Sequence, residues 1–139
     1  MSEKNVGREL KKLSNKIHRT IDKFASKSEL TGAEGRVLHY ILGQEEDVFQ
    51  RDIEVKLGLR SSTATEIIKK MENNALIIRK PTENDARLKK IIITDKALEY
   101  KEIVMNDLRN FEKTLVAGLS EEEIDSFLKT IEKMINNLS

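Results

Sequence analysis

The chain has 139 residues, 38% hydrophobic and 35% charged, a length and balance that suit one domain with a real core. The absence of cysteine excludes disulfides, thiolate zinc sites and thiol redox sensing, and two histidines are too few for a histidine-rich metal site within one chain. The net charge of +1 hides a gradient: residues 50–96 hold 11 Lys+Arg against 7 Asp+Glu and the remainder 14 against 17, so an anionic partner is expected for the middle alone.

In chain order, Leu10, Leu13, Ile17, Ile21 and Phe24 recur at helical steps and predict an amphipathic helix over residues 9–24. Thr31-Gly32-Ala33-Glu34 has the spacing of a capping box. The helix that it opens carries Val37, Leu38, Ile41 and Leu42, with Gly43 as its stop. A short helix over residues 51–57 buries Ile53 and Leu57, and Gly58-Leu59-Arg60 breaks it. The next helix, at residues 61–73, has Ala64, Ile67, Ile68 and Met71 on its apolar side. Asn73-Asn74 ends it, because asparagine tolerates the left-handed conformation. Two short helices across a glycine-containing turn make a helix-turn-helix.

The period then changes to two. Residues 76–80 and 88–94 alternate as strands around the turn-forming Pro81-Thr82-Glu83-Asn84-Asp85, predicting a β-hairpin with a polar tip. Thr94-Asp95 is expected to cap one long helix to about residue 117, with Val104, Leu108, Phe111 and Leu115 at coiled-coil spacing. Gly118 interrupts it, and Ser120-Glu121-Glu122-Glu123 caps a final helix with Ile124, Phe127, Leu128, Ile131, Ile135 and Leu138 on one side.

Enzyme chemistry finds no foothold. There is no P-loop, no glycine-rich dinucleotide turn and no Gly-x-Ser-x-Gly elbow. His18 and His39 each sit on a predicted helix without an obvious catalytic partner. No cofactor is expected. No apolar run is long enough to span a bilayer, and MSEKNVGREL lacks the apolar core of a secretory signal, so a cytoplasmic location without a membrane partner is expected.

Residues 58–94 point instead to DNA. A recognition helix needs small polar residues at its exposed N-terminal end, which reach base edges and phosphates without pushing the helix out of the groove. Arg60, Ser61, Ser62, Thr63 and Thr65 meet that need, and Lys69 and Lys70 can reach the backbone. Taken alone, this is also an ordinary Ser/Thr-rich helix start. The hairpin that follows carries Arg79, Lys80, Arg87, Lys89 and Lys90. A hairpin beside a major-groove helix falls over the adjacent minor groove, whose negative potential attracts arginine. Asp85 stands two residues before Arg87, within pairing reach.

The segments RSSTATEIIKKMENNALIIRK, DARLKK and IIIT, in that order, resemble the multiple-antibiotic-resistance-regulator (MarR) family over about residues 30–97. The resemblance implies a mainly α fold with a small β-hairpin wing: a winged helix-turn-helix at residues 30–97 and a helical dimerisation region at residues 1–29 and 98–139. It implies groove-facing roles for Ser62, Thr63 and Thr65, a wing-tip role for Arg87 and an orienting role for Asp85. Three positions depart from the family pattern. Glu66 stands where a basic or neutral residue is common. Ala75 replaces a glycine, leaving the turn to Asn74. Arg60 replaces a capping serine, so either Ser61 caps the helix or Arg60 contacts DNA.

The function expected is a sequence-specific, double-stranded-DNA-binding transcriptional regulator: a ligand-responsive repressor, homodimeric on an inverted repeat. The alternative is a winged-helix protein-interaction scaffold, to which Glu66 lends weight. Family members often bind a small anionic or phenolic effector, and Arg36, His39 and Tyr40 are the candidate contacts.

Overall fold

The computed structural model describes residues 3–25 and 30–139, without the side chains of Phe24 and Ala25, so the expected contribution of Phe24 to the first apolar stripe lies outside the described residues. The chain divides into two compact units, Met1–Leu108 and Arg109–Ser139.

The first unit begins with α1 (Val6–Ala25) and α2 (Gly32–Leu42). The Thr31 capping box forms in both directions: the Glu34 amide donates to Thr31 Oγ1 at 3.1 Å, and the Thr31 amide donates to Glu34 Oε1 at 3.1 Å. Gly32 is required by the packing of α1 on α2. A Cβ there would stand 2.6 Å from Asp22 Oδ1 and 2.8 Å from Ile21 Cγ2. The helix-turn-helix follows as α3 (Gln50–Leu57) and α4 (Ser61–Asn73). Gly58 takes the left-handed φ of 64° that ends α3, a conformation nearly free of cost only without a Cβ.

The core joins Val37, Leu38 and Ile41 of α2 to Ile53 of α3, Ile68 and Met71 of α4, Leu76 just before the hairpin, and Ile77 and Ile91 within it. Five of these side chains, Leu38, Ile53, Ile68, Met71 and Ile77, are wholly buried. Each contributes on the order of 2 kcal/mol by leaving water.

The hairpin pairs β1 (Ile77–Pro81) with β2 (Lys89–Ile93) antiparallel, Ile77 opposite Ile93 and Lys80 opposite Lys90. Val48, just before α3, adds a bridge on the other side of β2: the Ile91 amide donates to its carbonyl at 2.7 Å.

The expected single helix after Thr94 is two helices. Thr94 does cap, accepting from the Ala97 amide at 3.2 Å, but α5 (Asp95–Leu98) stops there and α6 (Lys101–Leu115) starts afresh. The amides of Glu99 and Tyr100 bond three residues back, to Lys96 and Ala97, which tightens the chain into a turn. Ala97 is fully buried and Tyr100 packs on the core, so this turn is anchored by side chains that an uncapped run of helical spacing did not reveal.

The second unit holds the end of α6, the turn at Gly118 and α7 (Glu121–Asn137). Its capping box forms between Ser120 and Glu123. No side chain of α7 is buried.

Candidate nucleic-acid interface

The outward face of α4 is set by its inward one. Ala64, Ile68 and Met71 are fully buried and Ile67 packs against the core, which leaves the polar residues of the helix facing out. Ser61, Ser62, Thr63, Thr65, Glu66, Lys69 and Lys70 are all exposed. Arg60 is the N-cap residue, with extended φ and ψ of −70° and 150° and no side-chain cap bond. Ser61 is already helical, so the reading of Ser61 as the cap does not hold.

Thr65 is less free than the sequence suggests. Its hydroxyl donates to the Ser61 carbonyl at 2.8 Å and accepts from Gln50 Nε2 at 2.9 Å. Gln50 also reaches Glu54 Oε2 at 3.1 Å. The pair ties the first turn of α3 to the first turn of α4 from the exposed side. Gln50 was not among the expected site residues. Its contact spans 15 positions, and no local pattern announces it.

The other end of α4 is closed by a Schellman motif. The Leu76 amide reaches the Met71 carbonyl at 2.9 Å, and the Ala75 amide reaches Glu72 at 3.0 Å. Ala75, not Asn74, holds the left-handed position at φ 61°. Asn74 has φ −86°. Lys96 Nζ donates to the Asn74 carbonyl at 2.8 Å and Thr94 Oγ1 to the Ala75 carbonyl at 2.6 Å, so the α4 terminus is tied to the start of α5.

Arg79, expected as one of the hairpin cations, is engaged. Its Nε and Nη2 donate to the two oxygens of Glu72 at 3.2 and 3.0 Å. These hydrogen bonds outweigh partial burial and hold the Glu72 carboxyl below its ordinary range, with the charges of Arg79 and Lys89 acting in the same direction. Lys90 leans toward Asp47 at 3.9 Å. Lys80 and Lys89 stay exposed.

The hairpin tip is a hydrogen-bonded loop. Thr82 Oγ1 donates to the Asp85 carbonyl at 2.8 Å and accepts from the Asp85 amide at 3.1 Å. Asp85 Oδ1 in turn accepts from the Arg87 amide at 2.9 Å and from Arg87 Nε at 3.3 Å. The guanidinium is thereby aimed from its inner edge while the side chain remains 93% exposed. Thr82 was missed as a positioning residue, although Thr-x-x-Asp has the spacing of a capping motif.

The candidate effector contacts are not brought together. A cleft of about 580 Å³ is lined by His18 and Asp22 of α1, Arg36 of α2 and Leu57, Gly58 and Leu59 of the α3–α4 turn, among others. Arg36 lines it, whereas His39 is exposed elsewhere on α2 and Tyr40 packs against the core. His18, and not His39, lines this cleft, because α1 packs against the side of α2 that carries Arg36.

Comparison with known proteins agrees with this architecture. A sequence model described as MarR family matches residues 28–88. An uncharacterised HTH-type transcriptional regulator of Bacillus subtilis, YdgJ, is 24% identical over 99 residues, which are 71% of this chain and 60% of that protein. The chain thus spans about three fifths of the length of that curated relative. Among solved structures, the S. aureus MepR–DNA complex is 25% identical, with a TM-score of 0.84 over 99% of this chain and 100% of that one. The transcription regulator MarR of Oenococcus oeni PSU-1 is 32% identical, with a TM-score of 0.83 over 95% of this chain and 99% of that one. A likeness of that identity, running nearly end to end through both chains, places this protein in the MarR family of winged-helix transcriptional regulators.

Proposed function

We propose that the chain is a sequence-specific repressor of transcription that binds double-stranded DNA as a homodimer on an inverted repeat and answers a small anionic or phenolic effector. One observation carries the DNA reading: the exposed polar face of α4 is followed directly by a hairpin whose tip arginine is held by Asp85. In this reading Arg60, Ser61, Ser62, Thr63 and Lys69 meet the major groove and its phosphates. Arg87, with Lys80 and Lys89, meets the neighbouring minor groove. Thr65 serves through its bond to Gln50 more than as a free donor. The relative MepR, at 25% identity, is known in complex with DNA, which supports the same partner here.

Residues 30–97 then read DNA, and residues 1–29 and 98–139 pair the two copies. The apolar side chains of α7 and its C-cap favour pairing, since Phe127, Leu128 and Ile135 and the capping Leu138 are all exposed in the single chain. A twofold pair matches two half-sites one helical turn, about 34 Å, apart. Arg36 and His18 in the cleft supply two groups suited to an anion or a phenol, and occupancy there shifts the population of DNA-competent dimers. No helix among the described residues is long and apolar enough to cross a membrane, in keeping with a cytoplasmic place of action.

Selection of bound duplexes from a random pool tests the core of this reading. An inverted repeat should be enriched, and its affinity should fall steeply with salt as Lys and Arg displace counterions. Recovery of no enriched sequence would leave only the scaffold alternative.

A further inference from the structure

Glu66 is an acidic residue on a surface proposed to meet a polyanion. At about 100° per residue, Glu66 and Asn73 fall within roughly 15° of the direction opposite the buried residues of α4, and Ser62 within roughly 30°. By the same count Lys69 and Lys70 lie about 50° to either side of that line. Glu66 is therefore central, and the cations flank it. Lys69 and Lys70 stand three and four residues on, yet among the described residues the Glu66 carboxylate pairs with neither.

When such a helix enters the major groove, its central ridge goes deepest, toward base edges and away from the phosphate walls. A carboxylate has only acceptors to offer there. Guanine presents two acceptors, thymine an acceptor and a methyl group, and adenine an acceptor beside its amino group. Cytosine alone presents a donor without an acceptor of its own. Thr65, the neighbouring hydroxyl, is already engaged by Ser61 and Gln50 and adds no free donor to offset this preference. We propose that Glu66 is a specificity-determining residue, which selects a cytosine at one position of each half-site by accepting from its exocyclic amino group. This rests on the major-groove placement of α4 proposed above.

The test compares full-length wild type, Glu66→Ala and Glu66→Gln in the same random-duplex selection. Glu66 is exposed and unpaired, so neither substitution disturbs the core. The wild type should prefer cytosine at one position per half-site by roughly five- to 100-fold. Glu66→Ala should flatten that position and leave the others unchanged, and Glu66→Gln should move the preference toward adenine, whose amino group and ring nitrogen match an amide. Three identical profiles, with Glu66→Ala merely tighter on every duplex, would overturn the proposal and leave Glu66 as a repulsive charge. Failure of the wild type to enrich any repeat would instead overturn the major-groove placement itself.

Discussion

Arg79 near the base of the hairpin and Arg87 at its tip are both held by a carboxylate, and the two pairs behave differently. Glu72 takes two donors of Arg79, and the two side chains are about one third exposed. This guanidinium is a strut between the end of α4 and β1. Asp85 takes one donor of Arg87 and leaves the terminal nitrogens in solvent. One arginine spends two of its five donors and its charge on a carboxylate inside the molecule, and the other keeps its terminal nitrogens for an outside partner. A count of basic residues on the hairpin misses this, because it treats all of them as available to an anion.

The strongest way to break the comparison is Arg87→Ala. If the tip is the external contact, operator affinity falls by about ten- to 100-fold. The thermal midpoint stays within a degree or so, because a solvated side chain supports little. Fluorescence anisotropy and a melt on the same sample read both quantities. Unchanged affinity in a folded Arg87→Ala protein would remove the tip from the mechanism.

Arg79→Ala should show the opposite profile with a smaller effect. Discounted for its partial exposure, the pair contributes on the order of 0.5–1 kcal/mol to folding. DNA affinity should move less than threefold, a change within that same energy scale. The stability gap should also depend on pH. Arg79 holds the folded-state pKa of Glu72 below the ordinary value of 4.5, so the contribution is present above that value and is lost as pH falls through the lowered one. Urea midpoints for wild type and Arg79→Ala should differ at neutral pH and converge toward acid. A gap that persists after Glu72 has been protonated would assign the loss to packing of the Arg79 stem.

The contrast between these two pairs also marks how far the sequence could be read. Asp85 and Arg87 are two residues apart, and the capping boxes at Thr31 and Ser120 span three, so spacing alone foretells them. The hairpin followed from its period of two. Glu72 and Arg79 lie seven residues apart across a turn, Gln50 and Thr65 lie 15 apart, and the Val48–Ile91 bridge joins distant segments. Such contacts depend on how elements pack, which periodicity does not encode. The same limit divided the cleft from its expected residues. Arg36 and His39 are both on α2, and only the docking of α1 decides which of them faces His18 and Asp22.

Ala75 joins the end of α4 to the strand that Arg79 braces, and propensity pointed to the wrong neighbour. Asparagine suits the left-handed position better than alanine. The Schellman register, however, must put Leu76 and Met71 into the core together, and both are essentially buried. That requirement places the left-handed residue at Ala75, whatever its preference. An alanine there costs about 1–2 kcal/mol relative to a right-handed conformation. Ala75→Gly removes the Cβ penalty but enlarges the unfolded ensemble by about 0.4–1 kcal/mol, so a net gain of roughly 0.5 kcal/mol is expected. The bond from Thr94 to the Ala75 carbonyl is a backbone contact and survives the change. A slightly higher urea midpoint with unaltered DNA affinity would place the turn with Arg79, among the features that support the wing. A lower midpoint would mean that the bonds from Thr94 and Lys96 already hold this backbone without strain.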